Sequence, residues 1–184
     1  MRVIAGSARR TTLVTPDGLD TRPTTDRIKE TLFNMINNDI YDCNFLDLFS
    51  GSGGIGIEAL SRGAFKSYFV ENNRNAIQCI KTNLNKTHFE DKGILLERDV
   101  ISAIAFLENT DIIFDIIFMD PPYNKEWEKK VLLSLSNSKI INEYTTIIVE
   151  MSLETTTDYL EEYGFELVKR KDYKTNSHLF IKKK

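Results

Sequence analysis

Short apolar runs alternate with segments of helical periodicity along most of the chain. The apolar runs are rich in β-branched and aromatic side chains, which is typical of buried strands. They cover residues 45–49, 67–71, 94–97, 115–119, 145–151, 165–171 and 178–181. Between them, apolar residues recur every three or four positions, as they do on one face of a helix. The predicted helices lie near residues 54–62, 73–86, 101–107, 127–135 and 156–162. An earlier helix, capped by Thr24 or Thr25, carries Ile28, Leu32 and Ile36 on one face.

This alternation predicts an α/β fold. Strands that alternate with helices indicate βαβ units, and therefore a doubly wound, mostly parallel sheet with helices on both faces. The last two predicted strands have no helix between them, so the final strand should be antiparallel. Near the amino end, residues 2–4 and 13–14 could pair as a small hairpin before the first helix. We therefore expect an extension of hairpin and helix over residues 1–40, and one globular domain over residues 41–184.

Length and composition indicate a globular protein. With 184 residues, of which 41% are hydrophobic and 28% charged, the chain can bury a substantial core. No segment approaches the roughly 20 apolar residues needed to cross a bilayer, so we expect a cytoplasmic location and no membrane partner. Cys43 and Cys79 lack the spacing of a metal site, which favours buried thiols over a disulfide or a zinc site. No metal ion is therefore expected.

Charge is unevenly distributed along the chain. The formal net charge is −3, which argues weakly against a nucleic-acid partner. Residues 1–30, however, carry six basic and four acidic side chains, and residues 169–184 carry seven basic and one acidic. If the two ends meet in space, these basic groups could bind the phosphates of a nucleic acid. The alternative is that the last lysines form a solvated tail.

The segment from Phe45 to Gly56 reads FLDLFSGSGGIG, a glycine-rich loop directly after a predicted strand. It matches the dinucleotide-binding pattern G-x-G-x-x-G, and Glu71 lies 20 residues after Gly51, where a ribose-binding acid is expected. Asp47 distinguishes the possible cofactors. Its carboxylate would repel a pyrophosphate, but it suits the ammonium or sulfonium group of S-adenosylmethionine. The alternative is a glycine turn that only packs a helix on a strand.

The predicted S-adenosylmethionine site extends along the ends of neighbouring strands. Glu71 would accept hydrogen bonds from the ribose hydroxyls, and Asp99, after the third strand, would face the adenine amino group. The full predicted cofactor-binding set is Asp47, Phe49, Ser50, Gly51, Gly53, Glu71, Asn72, Asp99, Val100 and Asp120.

The sharper motif is Asp120-Pro121-Pro122-Tyr123, again directly after an apolar strand. Two consecutive prolines fix the backbone and remove two donors, so nearby carbonyl groups can accept hydrogen bonds from a ligand. The exocyclic amine of a nucleobase is such a donor and a poor nucleophile, so the site must hold and aim it. Asp120 and the Pro121 carbonyl would hold the amine, and Tyr123 would stack on the base. These four residues form the predicted catalytic set; a rigid turn with a packed tyrosine is the alternative.

Two amino-terminal segments, RVIAG at residues 2–6 and TRPTTDRIKETLFN at residues 21–34, complete the pattern. With both site motifs, the chain resembles the RsmD family of bacterial small-subunit ribosomal RNA guanine-N2 methyltransferases over almost its whole length. The resemblance implies a Rossmann-like class I methyltransferase fold, with S-adenosylmethionine as donor and S-adenosylhomocysteine as product. It also implies that the acceptor is a guanine of 16S rRNA, conventionally position 966, in an assembled or assembling small ribosomal subunit.

The resemblance further implies RNA contacts, and other functions stay open. Arg9, Arg10, Arg22 and Arg27 would contact phosphates, although surface arginines can equally pair with nearby acids. A monomer is expected. One alternative is an adenine-N6 methyltransferase acting on DNA or RNA, which would share the Asp-Pro-Pro-Tyr motif but usually needs an inserted recognition domain. The other is an RNA-binding protein without catalysis, which would leave the acids of both predicted sites unused. A hydride-transfer enzyme would leave the Asp-Pro-Pro-Tyr motif without a role.

Overall fold

The computed structural model describes residues 1–16, 25–122 and 125–184. In these ranges, strands and helices follow one another in the order that the hydrophobic pattern predicts. The strands are β1 Asn44–Leu48, β2 Lys66–Glu71, β3 Gly93–Glu97, β4 Ile116–Met119, β5 Thr146–Ser152, β6 Phe165–Asp172 and β7 Asn176–Lys183. The helices are α1 Asp26–Met35, α2 Gly54–Ser61, α3 Arg74–Thr87, α4 Val100–Leu107, α5 Trp127–Ser136 and α6 Tyr159–Glu162. None of the described helices has the length and apolar composition to cross a membrane.

The strands form one sheet in the order β3-β2-β1-β4-β5-β7-β6. Strands β1 to β5 are parallel to their neighbours, and β7 is antiparallel to both β5 and β6. From β1 the sheet extends through β2 to β3 on one side, and through β4 to β5 on the other, so the strand order reverses between β1 and β4. The carboxyl ends of these two strands therefore flank the crevice where open α/β sheets bind ligands. The predicted doubly wound sheet with an antiparallel final strand is confirmed.

Side chains alternate between two hydrophobic layers on the two faces of the sheet. Phe45 and Phe118 belong to the layer formed with α1, α2 and α3, and we call this side the α1 face. Leu46 and Ile117 belong to the layer formed with α4, α5 and α6. The alternation fixes which residues share a face at the ends of the strands. Cys43 is buried in the α1-face layer, as the sequence predicts for a thiol outside a metal site.

Local signals set the ends of the helices. Helix α1 begins after Thr25, whose side-chain oxygen accepts the N–H of Ile28 at 3.4 Å. Helix α3 begins after Asn73, whose side chain accepts the N–H of Ala76 at 3.2 Å. Helix α2 is followed by Gly63, whose φ of 105° is a conformation that other residues rarely adopt. The predicted cap and the predicted glycine stop are therefore both confirmed.

Residues 1–16, which we call the arm, lie along α2 and α3. Arg2 and Thr12 form an isolated antiparallel bridge, and the N–H of Val3 donates to the Thr11 carbonyl at 2.9 Å. The predicted hairpin is thus present in a reduced form. Val3 and Leu13 are buried in the α1-face layer, so the arm shares a hydrophobic core with the sheet.

A buried ion-pair cluster ties the arm and α1 to α2. The carboxylate of Glu58, which is fully buried on α2, lies 3.3 Å from Lys29 Nζ and 2.8 Å from Arg62 Nε. Its two oxygens also accept the backbone N–H groups of Ile4 and Ala5, at 2.8 and 3.0 Å. Burial lowers the pKa of Lys29, and the Glu58 carboxylate opposes that shift. Because a buried charge without a partner is costly, Glu58 should stabilise three segments at once.

We expect Glu58→Leu to lower the free energy of unfolding by about 3–5 kcal/mol, because the charge of Lys29 would stay buried without its anionic partner. Urea unfolding followed by circular dichroism measures the change. Glu97→Gln is the control, since it breaks the half-exposed Lys81–Glu97 pair of 2.6 Å and should cost less than about 1 kcal/mol. An equally small loss in Glu58→Leu would show that the buried cluster does not stabilise the fold.

Candidate active site

Acidic side chains gather at the carboxyl ends of four neighbouring strands. Asp47 of β1, Glu71 of β2, Asp120 directly after β4 and Glu150 of β5 each lie two residues beyond a core residue of the α1 face. Because side chains alternate along a strand, the four acids project from the α1 face. Because the four strands are parallel, the acids also share one edge of the sheet. The fold thus brings together carboxyl groups that are far apart in the sequence.

A cavity of about 490 Å³ opens at this edge. Its wall combines the ends of β1, β2 and β4 with the glycine loop and parts of the arm and α1. The predicted site residues that line it are Asp47, Phe49, Ser50, Gly51, Glu71, Asn72, Asp120 and Pro122. A cavity of this volume is typical of a site for a small molecule. Within the described ranges, these acids do not form a group that could hold a metal ion.

The glycine loop, residues 49–54, has a backbone that opens it to a ligand. Phe49 has a φ of 64°, which is uncommon for a residue with a side chain. Ser50 Oγ donates to the carbonyl of Asp47 at 2.7 Å, which stabilises the turn. Gly51 has no atom within 4 Å of the position that a β-carbon would take, so a ligand can approach its backbone closely. Gly53, with a φ of 79°, is the cap from which α2 begins.

Asp47 is an acid buried in the wall of the cavity. It is 1% exposed, and one of its carboxyl oxygens accepts the N–H of Gly56 at 3.1 Å. Burial raises the pKa of Asp47 to about 8; the hydrogen bond from Gly56 opposes this shift, and the charge of Glu71 adds to it. A carboxylate in this position is suited to bind a cation, because the cation compensates its buried charge.

Glu71 binds the loop from the end of β2. Its Oε2 accepts the N–H of Gly51 at 2.8 Å, and its Oε1 accepts those of Asn72 and Asn73 at 2.9 and 2.8 Å. A carboxylate oxygen can accept two hydrogen bonds. Oε2 can therefore hold the loop and still accept a hydroxyl group of a ligand in the cavity.

Asp120 is half-buried beside the other acids. Burial raises the pKa of Asp120 well above its ordinary value, and the charges of Glu150 and Asp47 raise it further. A carboxyl group with a raised pKa is suited to accept a proton from a ligand that it contacts. Asp120 therefore combines a position in the cavity wall with the basicity that a proton acceptor needs.

The remaining residues of the Asp-Pro-Pro-Tyr motif are only in part described. Pro121 is buried, and Pro122 is exposed and lines the cavity. Tyr123 lies outside the described residues. The roles assigned to the Pro121 carbonyl and to the Tyr123 ring therefore stay predictions.

Asp99 and Val100 lie at the start of α4. Asp99 caps this helix: it accepts the N–H of Ser102 at 3.0 Å and the Ser102 hydroxyl at 2.6 Å. The hydrogen bonds from Ser102 lower the pKa of Asp99. Asp99 is exposed, and Val100 is buried in the layer opposite the α1 face. Neither residue lines the cavity, so their contact with an adenine stays a prediction.

The predicted RNA-binding arginines lie in two places. Arg9 and Arg10 are exposed at the turn of the arm, and the residues just before them hydrogen-bond to Ser61 at the end of α2. Helix α2 starts at the glycine loop and has eight residues, so this turn lies about 10 Å away along the helix axis. Arg27 is exposed in the first turn of α1, close to the part of α1 that lines the cavity. Arg22 lies outside the described residues.

The structure adds residues to the site that the sequence reasoning left out. Lys29 of α1 and Met1 of the arm line the cavity. Glu150 and His178 are buried as a pair beyond the cavity, 3.0 Å apart between carboxylate and ring nitrogen. The sequence does contain a signal for Glu150: it is a single acid inside an apolar strand. It lies, like the other strand-end acids, two residues after a core residue of the α1 face. No local signal marked Lys29, because its burial depends on Glu58 of another helix.

Three comparisons relate the chain to known proteins. The sequence model of the family described as conserved hypothetical protein 95 matches residues 1–182. Ribosomal RNA small subunit methyltransferase D of Escherichia coli (strain K12) is 33% identical over 154 residues, which cover 84% of this chain and 76% of that protein. The Bacillus subtilis protein YlbH is 38% identical over 154 residues, 84% of each chain. The solved structure of the Escherichia coli protein yhhF superposes with a TM-score of 0.83 at 30% identity, covering 100% of this chain and 98% of that one.

The family match covers the whole candidate site. The family match spans the arm, the glycine loop and the Asp-Pro-Pro-Tyr segment, since it runs from residue 1 to residue 182. The resemblance predicted from the motifs is therefore confirmed. The chain belongs to the family described as conserved hypothetical protein 95, the RsmD family of methyltransferases.

Proposed function

We propose that this protein transfers a methyl group from S-adenosylmethionine to the exocyclic N2 amine of a guanine in the RNA of the small ribosomal subunit. The observation that carries the proposal is the pair of acids Asp47 and Asp120, both with a raised pKa, in the wall of one cavity. A cationic donor compensates the charge that these acids would otherwise bury. A relative named for methylation of small-subunit ribosomal RNA supports the RNA acceptor.

The residues of the cavity fit this donor. S-adenosylmethionine supplies a methyl group bound to a positively charged sulfur. Asp47 would face its cationic part, and the open backbone of Gly51 would let its methionine part approach closely. The second acceptor position on Glu71 Oε2 would take a ribose hydroxyl. An anionic pyrophosphate in the same place would be repelled by both acids.

Asp120 would hold the acceptor amine and take its proton. Its carboxylate and the Pro121 carbonyl would each accept one N–H of the amine, which aims the nitrogen at the methyl carbon. As the new N–C bond forms and the S–C bond breaks, positive charge develops on the amine nitrogen. Asp120 stabilises that charge and accepts the leaving proton, which its raised pKa favours.

The proposed partner is 16S rRNA in an assembled or assembling small subunit, bound by a monomer in the cytoplasm. Exposed lysines on the same face of the sheet as the site acids support an RNA partner. Lys169 and Lys171 of β6 pair in the sheet register with Phe180 and His178 of β7. Paired residues of an antiparallel ladder share a face, so both lysines project from the α1 face, like Asp120. Phosphates on either side of the target nucleotide could bind there.

We expect Asp120→Ala and Asp47→Asn to affect different steps. Asp120→Ala should lower turnover by about 1,000-fold or more and change the donor dissociation constant less than about threefold, because Asp120 faces the acceptor. Asp47→Asn should weaken donor binding by roughly 10- to 100-fold, because it removes a charged partner. Calorimetry measures binding, and transfer of a tritiated methyl group to unmethylated small subunits measures turnover. Equal loss of binding and turnover in Asp120→Ala would contradict this division of roles.

Donor binding should strengthen as the pH rises from about 6 to about 7.5. Asp47, whose pKa is raised to about 8, is mostly protonated over this range, and only its carboxylate compensates a cation. Binding should therefore release a proton, with a gain in affinity of up to about tenfold per pH unit. The range stays below the pKa of an α-amino group, roughly 7.7–8.0, so most donor molecules keep the ammonium charge, and the sulfonium charge does not titrate. Calorimetry in two buffers of different ionisation enthalpy measures how many protons are released on binding. Asp47→Asn should lose most of the pH dependence of donor affinity. Affinity that stays constant over this range in the unmodified protein would argue against the role of Asp47.

Binding to small subunits should weaken steeply with salt, and two double variants should locate the RNA-binding surface. Lys169→Gln with Lys171→Gln should reduce the slope of log K against log[salt] by about 0.7–0.9 for each phosphate that the variant no longer binds. Arg9→Gln with Arg10→Gln should reduce it less, because these residues lie beyond the far end of α2. Filter binding over a salt series measures both slopes. If the lysine variant kept the slope of the unmodified protein, β6 would not be part of the RNA-binding surface.

A further inference from the structure

Two aromatic side chains meet where the ends of β1 and β4 flank the crevice of the sheet. Phe49 directly follows β1, and Trp127 begins α5, the helix that comes after the Asp-Pro-Pro-Tyr motif at the end of β4. Their ring centroids are 6.0 Å apart, and the rings meet edge-on at an angle of 70°. Phe49 lines the cavity and Trp127 does not. The aromatic pair therefore leads from the cavity wall out to the start of α5.

Trp127 is not an anchor of the hydrophobic core. It is half-buried, and neither hydrophobic layer includes it among the described residues. Helix α5 is anchored instead by Val131, Leu132 and Leu135, which are 0% exposed. Large aromatic rings that remain partly open beside a site are typical of surfaces that bind a partner. The position of Trp127 thus suits a contact with a ligand better than a packing role.

A lysine lies over the ring of Trp127. Lys130 Nζ is 5.1 Å from the ring centroid, and Lys130 is exposed. Among the described residues Lys130 forms no ion pair, whereas its neighbour Lys129 pairs with Glu126 at 2.6 Å. A cation–π contact at an exposed site is weaker than the stacking of a base on an aromatic ring. A base can therefore displace the Lys130 ammonium from the ring, and the ammonium is then available to a phosphate.

An open indole ring beside a lysine matches the chemistry of a nucleotide. Every base has a flat π-face that can stack on the ring, and an ammonium group can bind the phosphate. In the proposed reaction, the target guanine leaves its stack to enter the cavity, as in other enzymes that act on a base. The nucleotide next to it then lacks a stacking partner. Since Trp127 lies outside the cavity wall, its ring is placed for this neighbour and not for the target guanine.

We propose that Trp127 stacks on the base of a nucleotide next to the target guanine, and that Lys130 binds a phosphate of the same RNA segment. Phe49 supports the ring of Trp127 from the side of the cavity. The inference rests on the proposed function and adds an RNA contact outside the cavity. Helix α5 packs on the face of the sheet opposite Lys169 and Lys171, so RNA is held on both sides of the crevice.

The first test removes the neighbouring bases from the substrate. Small subunits are reconstituted from ligated 16S rRNA that carries an abasic nucleotide directly before or directly after the guanine that the unmodified protein methylates, as mapped by mass spectrometry. At one of the two positions we expect KM to rise about 5- to 100-fold, the effect of losing one stack of a base on an aromatic ring. The value of kcat should change little, because a contact outside the cavity binds substrate and transition state alike. Unchanged KM values at both positions would overturn the inference without any variant.

Trp127→Leu provides the second arm of the test. It keeps an apolar side chain without an aromatic face, so KM for the complete substrate should rise as much as it does with the abasic nucleotide. When the variant and the abasic substrate are combined, little further loss should follow, because both changes remove the same contact. Trp127→Phe keeps an aromatic ring and should raise KM less than Trp127→Leu does. Lys130→Gln should reduce the slope of log K against log[salt] by about 0.7–0.9, the share of one phosphate.

Tyr144→Leu is the matched control. Tyr144 is 75% exposed and precedes β5, so it lies at the amino ends of the parallel strands, on the edge of the sheet opposite the site. This variant should keep the KM of the unmodified protein and the full effect of the abasic nucleotide. Affinity for S-adenosylmethionine should be the same in Trp127→Leu and Trp127→Phe, which shows that both variants are folded.

The outcomes separate the inference from the proposed function. If the unmodified protein methylates no guanine N2 in small subunits, the proposed function itself is wrong. If it does, and the effects of Trp127→Leu and of the abasic nucleotide multiply when they are combined, only the stacking role of Trp127 is wrong. A salt slope that Lys130→Gln leaves unchanged would overturn the phosphate contact. If Trp127→Leu does not fold, the abasic substrates decide alone.

Discussion

The burial of several carboxyl groups at one edge of the sheet is the constraint on which the site depends. Burial and neighbouring charges raise the pKa of both Asp47 and Asp120, and one hydrogen bond from Gly56 offsets the effect on Asp47 only in part. The sheet therefore carries acids whose ionisation needs a positive partner. A sulfonium donor supplies that partner, whereas a dinucleotide would add negative charge. The glycine loop alone is compatible with both cofactors, so the acids around it determine which one fits.

A second buried charge cluster completes the wall of the cavity. Met1 and Pro16 of the arm and Lys29 of α1 line the cavity, although they lie before the first strand of the sheet. Glu58 accepts from the arm backbone and pairs with Lys29, so its carboxylate connects the wall to α2. Asn83 of α3 holds the arm from its other side, through hydrogen bonds to both backbone groups of Val14. The amino-terminal segments are therefore part of the wall of the proposed cofactor site as well as a candidate RNA surface.

The sequence was most informative where the signal is local. Each central strand is apolar because both of its faces are buried, so the order of strands and helices follows from periodicity. The glycine loop and the Asp-Pro-Pro segment are contiguous, and the acids predicted there line the cavity. The pairing of Glu150 with His178 was not predictable, because it exists only where β7 returns beside β5. The role of Asp99 is ambiguous in the sequence for a different reason. An aspartate between a strand and a helix can cap the helix as well as bind a ligand.

The charges of the two principal acids also link donor binding to acceptor chemistry. Since the charge of Asp47 contributes to the raised pKa of Asp120, a cation that compensates Asp47 lowers the pKa of Asp120. In the proposed reaction, the bound donor would thus favour the carboxylate form of Asp120, the form proposed to accept the N–H groups of the amine. After methyl transfer, no sulfonium charge would compensate Asp47. The pKa of Asp120 would then rise again, which would favour retention of the proton taken from the amine.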